Sequence, residues 1–544
     1  MGKPDTLTAA LRGKRTSQGC TQEGRTWEDR AREGYARREH AQGAVPAGPH
    51  HMDDAADTAS PRGTQAPPGP HTIGGVLAPA QDAGVEGSAP ASAQELRVEG
   101  GALLRGAFEP PGDKSIAHRA AMLAGLCAGA SALRGYPLGQ DCASTLRCLR
   151  ALGVNVCEDG GSLIISGRGL RGLGEPEDVL DAGNSGTTMR LLTGILAGQE
   201  GMFVLTGDES LRRRPMGRVV APLRAMGAMV DGRAGGALAP LVIRGAGGAG
   251  GGGLLPLRHV LPVASAQVKS CLLLAGLYAD GETTVVEPAA SRDHTERLLR
   301  FAGVPVEERP ASGNTREVSV RGGHGPGPFR LTIPGDPSSA AFLLAAAAAL
   351  PGSSVTAVRV CANPTRLGFI RVLAHMGAAV RVEPVRCDGP EPVADIRVEH
   401  RGLIGVDVPP GAVPSMIDEV PVLAVLACAA STPSSIHGIN ELRVKETDRV
   451  TAVVEELSKM GARITEDGDS LRVRPSRLHG ARVSARGDHR MAMTLAVAGL
   501  MASGTTVVEG WEAVSVSYPG FLAALRSLGA GSPETSQRGS GSLE

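Results

Sequence analysis

The sequence predicts an α/β protein built from six copies of one structural unit, arranged as two domains of three units each. Three observations lead to this prediction: a helix that ends in glycine recurs six times, an apolar helix recurs six times, and short β-like runs lie between them. One unit cannot cover its own apolar helix, whereas three units packed around a shared helical core can. The repeats span about 440 residues, which suits two domains of ordinary size.

The first repeated motif is a helix that stops at a glycine and leads into a strand. It reads LRALGVNV at its first occurrence and LSKMGARI at its fifth. Glycine suits this place because the residue that closes a helix often adopts a left-handed conformation. Successive motif glycines are 68 to 84 residues apart, at Gly153, Gly227, Gly303, Gly377, Gly461 and Gly529.

The second repeated motif is a helix rich in alanine and leucine, such as SIAHRAAMLAGLCAG or SSAAFLLAAAAALPG. These helices are apolar on nearly every side, so we expect them to be buried. The runs LIISG, LVIRG, VSVRG, IRVEH and LRVRP are predicted strands. The longest apolar runs have about 11 residues, fewer than the roughly 18 that a membrane span needs, so no membrane insertion is expected.

The two ends of the chain differ in composition from the repeats. Residues 1–92 combine a densely charged stretch with one rich in Pro, Gly, Ala and Asp, and neither has enough apolar residues to offset the entropy lost on ordering. We expect this segment to be disordered; the alternative is that translation starts further in, for example at Met52. It has no apolar signal region and is too acidic for a transit peptide, so a cytoplasmic location is expected. Residues 533–544 are expected to form a disordered tail.

Charge and cysteine content exclude several classes of protein. The formal net charge is zero, which argues against a general nucleic-acid-binding protein. Any anion site must therefore be a local cluster of basic residues. The nine cysteines lack the spacing of metal ligands and most lie in apolar runs, so we expect buried thiols and no metal site.

Polar clusters precede the predicted buried helices: PGDKS, GNSGT, ASAQVKS, PGDPSS, PSMIDE and GDHR. Helix capping alone explains their Ser, Asp and Asn residues, and for any single cluster it is the simpler interpretation. Capping does not require the basic residues that accompany them. Because a helix start already attracts anions, added Lys or Arg makes sense if an anion docks there. These basic residues are Lys114, Arg119, Arg190, Lys269 and Arg490.

Two further basic clusters, SLRRRPMGR and ELRVKETDR, are not at the start of an apolar helix. Arginine binds carboxylate and phosphate through two parallel hydrogen bonds, so both clusters are candidates for anion binding. A solvated charged surface is the alternative. The residues concerned are Arg212, Arg213, Arg214 and Arg218 in the first cluster, and Arg443, Lys445, Glu446, Asp448 and Arg449 in the second.

Together, the motifs resemble those of the EPSP synthase (3-phosphoshikimate 1-carboxyvinyltransferase) family over about residues 95–530. The resemblance rests on PGDKSIAHR, DAGNSGTTMRLL, RRPMGR, ASAQVKS, SRDHTE, PGDPSSAAF, ELRVKETDR and DHRMAM. The residues in these motifs are most similar to those of the bacterial class II branch. It implies a two-domain inverse α/β barrel in which each domain has three βαβαββ units. It also implies that domain I comprises residues 93–112 plus 335–532 and domain II residues 113–334.

The resemblance further implies a reaction and the residues that perform it. A monomer is expected to transfer the enolpyruvyl group of phosphoenolpyruvate to the 5-hydroxyl of shikimate 3-phosphate, in aromatic amino-acid biosynthesis, without metal or other cofactor. Asp418 would be the general base, Glu446 a proton donor and Lys114 a catalytic contact to both substrates. Shikimate 3-phosphate would be bound by Lys114, Ser115, Arg119, Ser265, Ala266, Gln267, Arg292, Asp418 and Lys445. Phosphoenolpyruvate would be bound by Lys114, Gly186, Arg214, Gln267, Arg449 and Arg490.

Two positions depart from the family pattern, and two other functions stay open. Val516 stands where some members carry lysine, and Glu441 where some carry asparagine. The first alternative function is enolpyruvyl transfer to UDP-N-acetylglucosamine, which uses a loop cysteine that has no counterpart in a polar, glycine-rich loop here. The second is a non-catalytic anion-binding protein on the same fold, which would not need Asp418 or Glu446.

Overall fold

A computed structural model describes residues 94–247, 253–311, 315–531 and 533–537 of the chain. The expected disordered segment at residues 1–92 lies outside these ranges, as do residues 538–544 of the expected tail. No helix among the described residues is both long and apolar enough to cross a bilayer.

The described strands form six sheets of four strands, and each sheet contains one parallel and two antiparallel pairs. With strands numbered in chain order, the first three sheets are β22 (Arg482–Ser484), β23 (Thr505–Glu509), β1 (Gln94–Glu99), β24 (Glu534–Gln537); β16 (Ala379–Val385), β17 (Val393–Glu399), β15 (Ser354–Cys361), β2 (Arg105–Phe108); and β18 (Asp407–Val408), β19 (Ser434–His437), β21 (Ser470–Arg474), β20 (Arg463–Glu466). The other three are β14 (Arg330–Thr332), β3 (Ala130–Arg134), β5 (Ser162–Ser166), β4 (Asn155–Asp159); β6 (Leu180–Asp181), β7 (Met202–Thr206), β9 (Leu238–Arg244), β8 (Met229–Arg233); and β10 (Arg258–Val260), β11 (Glu282–Glu287), β13 (Arg316–Arg321), β12 (Val306–Pro310).

The helices fall into a buried set and an outer set. The buried helices, which the alanine- and leucine-rich motifs predict, are α1 (Lys114–Leu126), α3 (Gly186–Leu196), α6 (Ala266–Gly276), α8 (Pro337–Ala349), α10 (Val420–Ala429) and α12 (His489–Met501). The outer helices are α2 (Gln140–Ala151), α5 (Gly217–Ala225), α7 (His294–Phe301), α9 (Gly368–His375), α11 (Arg449–Lys459) and α13 (Phe521–Ser527), and α4 (Glu209–Arg213) is a single short turn. Short 3₁₀ turns cover Pro364–Arg366, Pro410–Ser415, Ile417–Glu419, Asn440–Val444 and Trp511–Val516.

Each outer helix of the repeat ends at its motif glycine, as the sequence predicts. All six glycines have a left-handed backbone, with φ between 83° and 96°. Glycine adopts this conformation without steric cost, so it stops the helix and turns the chain toward the next strand. The six units are therefore punctuated by the same local device.

Buried apolar side chains form two separate cores. One core draws on residues 96–108 and 340–530, and the other on residues 116–333 together with Cys361. In both, helices lie inside and sheets outside, because the helices are apolar all round and the sheets have one solvated face. The predicted α/β architecture of six units in two inverse barrels is confirmed.

The chain passes between the two cores twice, at Gly112 and at Gly335. The two passages pair with each other, since the N–H of Asp113 donates to the carbonyl of Pro334 at 2.7 Å and the N–H of Asp336 donates to that of Pro111 at 2.8 Å. Asp113 and Asp336 then begin α1 and α8. These reciprocal hydrogen bonds place the starts of two buried helices side by side.

The expected tail differs from the structure over residues 534–537. Glu534–Gln537 form β24, which pairs antiparallel with β1. Without it, β1 would be an edge strand with unpaired backbone N–H and C=O groups. Backbone pairing of this kind does not depend on apolar side chains, and so composition alone does not predict it.

Candidate active site

The starts of all six buried helices reach one cleft between the two domains, with a volume of about 270 Å³. Three starts come from the domain that contains α1, α3 and α6, and three from the domain that contains α8, α10 and α12. Helix starts attract anions through their free N–H groups and dipoles. The lining residues at these starts are Lys114, Gly186, Ala266, Asp336, Asp418 and Arg490.

Side-chain caps explain many of the polar residues at these starts. Asp113 accepts a hydrogen bond from the N–H of Ile116, Ser185 from Thr188 and Asp488 from Arg490, at 3.0, 3.1 and 2.8 Å. The capping interpretation is therefore correct for these residues. It does not explain the basic side chains beside them, several of which line the cleft.

The cleft carries a local excess of positive charge in a chain whose formal net charge is zero. Nine basic and five acidic side chains line it, an excess of four positive charges. Such an excess in a concave site attracts anions. The basic residues are Lys114, Arg119, Arg190, Arg214, Arg218, Arg292, Arg366, Lys445 and Arg490, and the acidic ones are Asp141, Asp336, Asp418, Glu441 and Glu446.

Arg119 is a buried cation held largely by neutral groups. Its Nε donates to Thr295 Oγ1 at 2.7 Å, and its terminal nitrogens donate to the Ser115 carbonyl at 2.8 Å and to Ser270 Oγ at 2.9 Å. Burial lowers the pKa of its guanidinium to about 10, which leaves it charged at neutral pH. Because these three hydrogen-bond acceptors are all neutral, its positive charge is available to an anion in the cleft.

Lys114 lies beside Arg119 on the same helix and has an acidic partner. Its Nζ is 2.7 Å from Asp141 Oδ2. Burial opposes the ammonium form, but the charge of Asp141, its hydrogen bond and the charge of Glu446 together outweigh burial and raise the pKa of Lys114. Asp141 therefore keeps this amine protonated and fixes its position at the start of α1.

Gln267 and Arg190 connect two further helix starts. Arg190 donates to Gln267 Oε1 at 2.6 Å, and the Gln267 amide donates to Thr187 Oγ1 at 3.0 Å. Burial, followed by Arg214 and Arg218, lowers the pKa of Arg190 to about 10. The amide of Gln267 is thus oriented from both sides.

Asp418 stands on the opposite wall and is surrounded by arginines. Its carboxylate accepts from Arg292 at 2.7 Å and from Arg449 at 3.2 Å, and Arg490 lies 3.5 Å away. Burial would raise its pKa, but Arg490, Arg292, Lys445 and Arg449 outweigh burial and hold the pKa well below its usual range. The carboxylate is ionised at neutral pH and can accept a proton.

Glu446 is the second carboxylate of that wall. Arg449 donates to it at 2.5 Å, and Arg214 reaches across the cleft to within 3.4 Å. Burial would raise its pKa, but Arg449 and Arg214 outweigh burial and hold it well below the usual range. Its neighbour Lys445 has a pKa lowered by burial. With both arginines in these positions, Glu446 is a carboxylate that holds no proton to donate.

Every residue to which the family resemblance gives a catalytic or substrate-binding role lines this cleft except Arg449. Arg449 is buried behind the wall, where its guanidinium donates to Asp488, Asp418 and Glu446. It contacts the two predicted catalytic carboxylates from behind instead of facing the cavity.

The expectation that Lys269 serves an anion at a helix start is wrong. Its side chain is completely buried and lies 3.0 Å from Glu287 and 2.6 Å from Glu296. Because two buried carboxylates already balance the charge of Lys269, this lysine is not available to an anionic ligand. Arg212 and Arg213 also lie outside the set of cleft-lining residues, whereas Arg214 and Arg218 line the cleft.

Two charged lining residues are not among those that the sequence predicts, Asp141 and Arg366. Asp141 belongs to no motif. Arg366 lies in NPTRLG, where Asn363 caps a short turn by accepting from the N–H of Thr365. Its guanidinium donates to Asp113 at 2.6 Å and to Asp336 at 2.9 Å, joining the first residues of both domain crossings. A buried capping turn that ends in arginine was the available signal.

The two departures from the family pattern have different surroundings. Val516 does not line the cleft, and its carbonyl packs against Gly139, where an added Cβ would come within 2.7 Å of that oxygen. Glu441 lines the cleft and accepts two hydrogen bonds from Arg218.

One group among the described residues has metal-ligand chemistry: His294, Cys361 and Glu391 are buried together near the domain crossings. His294 Nδ1 is bonded to Glu391 at 2.7 Å, and its Nε2 lies 3.3 Å from the guanidinium of Arg366. A guanidinium against the imidazole disfavours a cation there. These residues therefore form a hydrogen-bonded support for the crossing.

The family model of EPSP synthase (3-phosphoshikimate 1-carboxyvinyltransferase) matches residues 98–525 of the chain. A 3-phosphoshikimate 1-carboxyvinyltransferase of Pelotomaculum thermopropionicum is 51% identical over 430 residues, covering 78% of this chain and 97% of the relative. One from Thermus thermophilus is 51% identical over 432 residues, covering 79% and 97%.

Solved structures agree with the sequence comparisons. An EPSP synthase structure from Acinetobacter baumannii is similar with a TM-score of 0.72 at 39% identity, and the match covers 82% of this chain and all of that one. A second structure from the same species has a TM-score of 0.71 at 38% identity.

Proposed function

The chain belongs to the EPSP synthase family, and we propose that the cleft lined by the six helix starts is where its two substrates meet. The enzyme transfers the enolpyruvyl group of phosphoenolpyruvate to the 5-hydroxyl of shikimate 3-phosphate, giving 5-enolpyruvylshikimate 3-phosphate and phosphate, in the shikimate pathway of aromatic amino-acid biosynthesis. The observation that carries the proposal for the site is the pair Asp418 and Glu446 on one wall, facing the basic wall of the other domain.

Shikimate 3-phosphate binds mainly to the wall built by α1 and α6. The residues proposed for it are Lys114, Ser115, Arg119, Ser265, Ala266, Gln267 and Arg292 from that wall, with Asp418 and Lys445 opposite. What supports this assignment is the chemistry of the wall: Arg119 donates to neutral oxygens, and helix starts with Ser and Gln side chains suit phosphate and hydroxyl groups.

Phosphoenolpyruvate binds between the walls, near α3 and α12. The residues proposed for it are Lys114, Gly186, Gln267, Arg214, Arg449 and Arg490. Its carboxylate and phosphate need several cationic partners. Arg214 holds the carboxylate of Glu446 from the cleft and Arg449 holds it from behind, so an anionic ligand in the cleft would compete with that carboxylate for Arg214.

The reaction is an addition followed by an elimination. The 5-hydroxyl oxygen attacks carbon 2 of phosphoenolpyruvate while Asp418 accepts the hydroxyl proton and Glu446 donates a proton to carbon 3. Glu446, now a carboxylate, then takes a proton back from carbon 3, the electrons of that C–H bond form the double bond between carbons 2 and 3, and the bond from carbon 2 to the phosphate oxygen breaks. Phosphate leaves with the proton that Asp418 had accepted from the hydroxyl. An acid and a base held at different places make both steps feasible.

Glu446 must first gain a proton, because its two arginine partners favour the carboxylate. When phosphoenolpyruvate draws Arg214 toward its own charges, the one arginine that holds the Glu446 carboxylate from the cleft side is engaged elsewhere. Its pKa then rises, because burial and the new anion both disfavour the charged form. Lys114, which is protonated and would contact both substrates, neutralises the charge on the phosphate.

The decisive experiment measures phosphate release from phosphoenolpyruvate with the purified chain. Release that depends on shikimate 3-phosphate supports the proposal, and Asp418→Asn should reduce it strongly. Release that depends instead on UDP-N-acetylglucosamine would identify the sister activity. Binding of both substrates without any release would leave a non-catalytic anion-binding protein.

We also propose the domain limits, the location and the oligomeric state. Domain I comprises residues 93–112 plus 335–532, and domain II residues 113–334; the separate apolar cores support this division. The protein acts in the cytoplasm as a monomer, and the completeness of the cleft within one chain supports the monomer. Sedimentation at about micromolar concentration, where specific homodimers commonly assemble, would test the monomer.

A further inference from the structure

Ion pairs join the two domains at three places along the cleft. At the domain crossings, Arg366 pairs with Asp113, and His294 is hydrogen-bonded to Glu391. Inside the cleft, Arg292 pairs with Asp418 and Arg214 with Glu446. At the third place, Arg218 pairs with Glu441. The three places differ in what substrates would do to them.

The pairs inside the cleft are the ones that substrates disrupt. Arg292 and Arg214 would turn toward substrate anions, and Asp418 and Glu446 toward the reacting atoms. Once ligands are bound, neither pair continues to hold the domains together. To stay closed over bound substrates, the two domains then need a contact whose residues do not bind the substrates.

The Arg218–Glu441 pair has the geometry for that task. Two guanidinium nitrogens of Arg218 donate to the two carboxylate oxygens of Glu441 at 2.8 and 2.9 Å, an arrangement with both hydrogen bonds parallel. The side chains are 40% and 37% exposed, so the pair lies at the rim of the cleft. Such a partly solvated pair can form and break as the cleft opens and closes.

The pair is also adjacent in sequence to the proposed catalytic groups. Arg218 lies four residues after Arg214 at the start of α5, and Glu441 lies in the short turn that leads to Glu446. The two segments touch a second time, where Ser210 Oγ donates to the carbonyl of Glu446 at 3.1 Å. Joining Arg218 to Glu441 therefore holds Arg214 opposite Glu446.

We propose that Arg218 and Glu441 are positioning residues for the reaction, forming a clasp that keeps the two walls of the cleft together while substrates occupy the groups inside it. This inference rests on the proposed function. It also gives Glu441 a role that its departure from the family pattern leaves open: it binds the opposite domain and not the substrate. The hydrogen bonds from Arg218 lower the pKa of Glu441, which keeps it ionised at neutral pH.

The test is a charge exchange across the cleft. Arg218→Glu and Glu441→Arg each place like charges at the rim, and the double variant Arg218→Glu/Glu441→Arg restores an opposite-charge pair with the partners reversed. Arg218→Gln serves as a neutral variant that removes the clasp without repulsion. The matched control is the same exchange at Arg472–Asp467, an exposed ion pair within one domain and outside the cleft lining.

The kinetic readout separates positioning from direct substrate binding. A clasp that favours the closed form changes the apparent affinity through the fraction of closed protein. Each single reversal should raise the KM for phosphoenolpyruvate by about 5-fold or more, with kcat within about 3-fold, and the double variant should return KM toward the wild-type value. A double variant as impaired as the singles, or single variants with unchanged KM, would overturn the clasp.

A second readout needs no substrate and no activity. Hydrogen exchange of the backbone amides of residues 440–446 in the ligand-free protein should quicken in each single variant and return to the wild-type rate in the double variant. Unchanged exchange in the single variants would contradict the clasp. Because this measurement does not involve turnover, a failure of the proposed reaction would leave it intact, and the two failures are distinguishable.

Discussion

At the residue scale, the main feature is that some cleft arginines are paired with carboxylates whereas Arg119 is hydrogen-bonded to neutral groups. Arg119 is bonded to Thr295 and Ser270 hydroxyls, whereas Arg214 and Arg292 are paired with the carboxylates proposed for catalysis. The first kind is preorganised for a ligand anion, and the second is coupled to proton transfer. Substitutions of the two kinds should therefore change different kinetic parameters.

Replacing Asp418 should affect turnover more than binding. In Asp418→Asn the proposed base is lost while its volume is kept, so kcat should fall by about 10²- to 10⁴-fold, the usual contribution of a general base. Stopped-flow or steady-state phosphate release measures the effect, and calorimetric titration with shikimate 3-phosphate is the control for binding. A variant that keeps kcat within about 10-fold of the wild type would show that the base lies elsewhere.

Replacing Arg119 should affect binding. In Arg119→Gln a charged hydrogen-bond partner is removed, so the affinity for shikimate 3-phosphate should weaken by about 1.5–3 kcal/mol, roughly 10- to 150-fold. Titration calorimetry measures it. Arg147→Gln, which removes an arginine bonded to Ser144 outside the cleft lining, is the control. Equal affinities in Arg119→Gln and the wild type would exclude Arg119 from the binding site.

At the element scale, the buried helix and the outer helix of each repeated unit have different roles. Five of the six buried helices start with a polar side-chain cap, and the outer helices end with left-handed glycines that do not line the cleft. The start determines where charge is presented, and the end determines where the chain turns back. Six copies of this arrangement direct six helix starts to one place.

Replacing a helix-ending glycine by any residue with a side chain should lower the unfolding free energy. Gly303 has a φ of 84°, and nothing lies within 4 Å of an added Cβ. Gly303→Ala should therefore cost backbone strain alone, about 1–2 kcal/mol of unfolding free energy. Denaturant unfolding measures it. Gly411→Ala is the control, because its added Cβ also meets nothing and its backbone is not left-handed. Equal stabilities of the two variants would refute the strain argument.

The interior of α1 should make stability depend on pH. His118 is completely buried, and its Nδ1 is bonded to Thr145 at 2.6 Å. Burial first, and then Lys114 and Arg119, lower its pKa well below the ordinary value, while Asp113 opposes them. The folded protein thus keeps the ring neutral, whereas the unfolded chain takes up a proton as the pH falls below about 6.5.

Acidification from pH 7 to pH 5 should accordingly lower the unfolding free energy, by up to about 2 kcal/mol through His118 alone. The loss begins as the pH falls through the unfolded value, and it is absent above it. Unfolding at both pH values, in the wild type and in His118→Gln, measures the difference. The exposed His324→Gln variant is the control, and a pH dependence that is the same in His118→Gln and the wild type would contradict the mechanism.

At the scale of the whole molecule, a chain of zero formal net charge concentrates positive charge in one cleft. The sheets face outward and carry mixed charges, while the six helix starts and their arginines face inward. The field that an anion meets therefore depends on the arrangement of the two domains and not on the net charge. Its reach is limited by salt screening.

Turnover should therefore depend on ionic strength. Raising KCl from about 0.01 M to about 0.15 M shortens the screening length from roughly 30 to roughly 8 Å. We expect kcat/KM for both anionic substrates to fall by about 5-fold or more, while kcat changes less. Sucrose at matched osmolality is the control. A kcat/KM that does not change with KCl would mean that the charge excess does not draw substrates in.

The sequence by itself determines the features that depend on short-range chemistry. The stop at Gly303, the cap at Asp113 and the burial of the helix SSAAFLLAAAAALPG each follow from a few neighbouring residues, because backbone hydrogen bonding and apolar periodicity are local. The family motifs add the identity of the cleft residues. For this reason the six units in two domains, and most of the charged residues that line the cleft, are predictable from the order of amino acids alone.

The tertiary structure decides which partner each charge meets. Lys269 and Lys114 look alike in sequence, as basic residues at the start of apolar helices. Lys269 nevertheless faces Glu287 and Glu296 in the interior, while Lys114 faces the cleft. Arg449 contacts Asp418 and Glu446 from behind.

The pairing of Arg218 with Glu441, 223 positions away, follows the same rule. The strength of an ion pair depends on the distance between the charges in space and not on their separation in sequence. Contact between the two domains therefore brings together residues that no local sequence pattern relates.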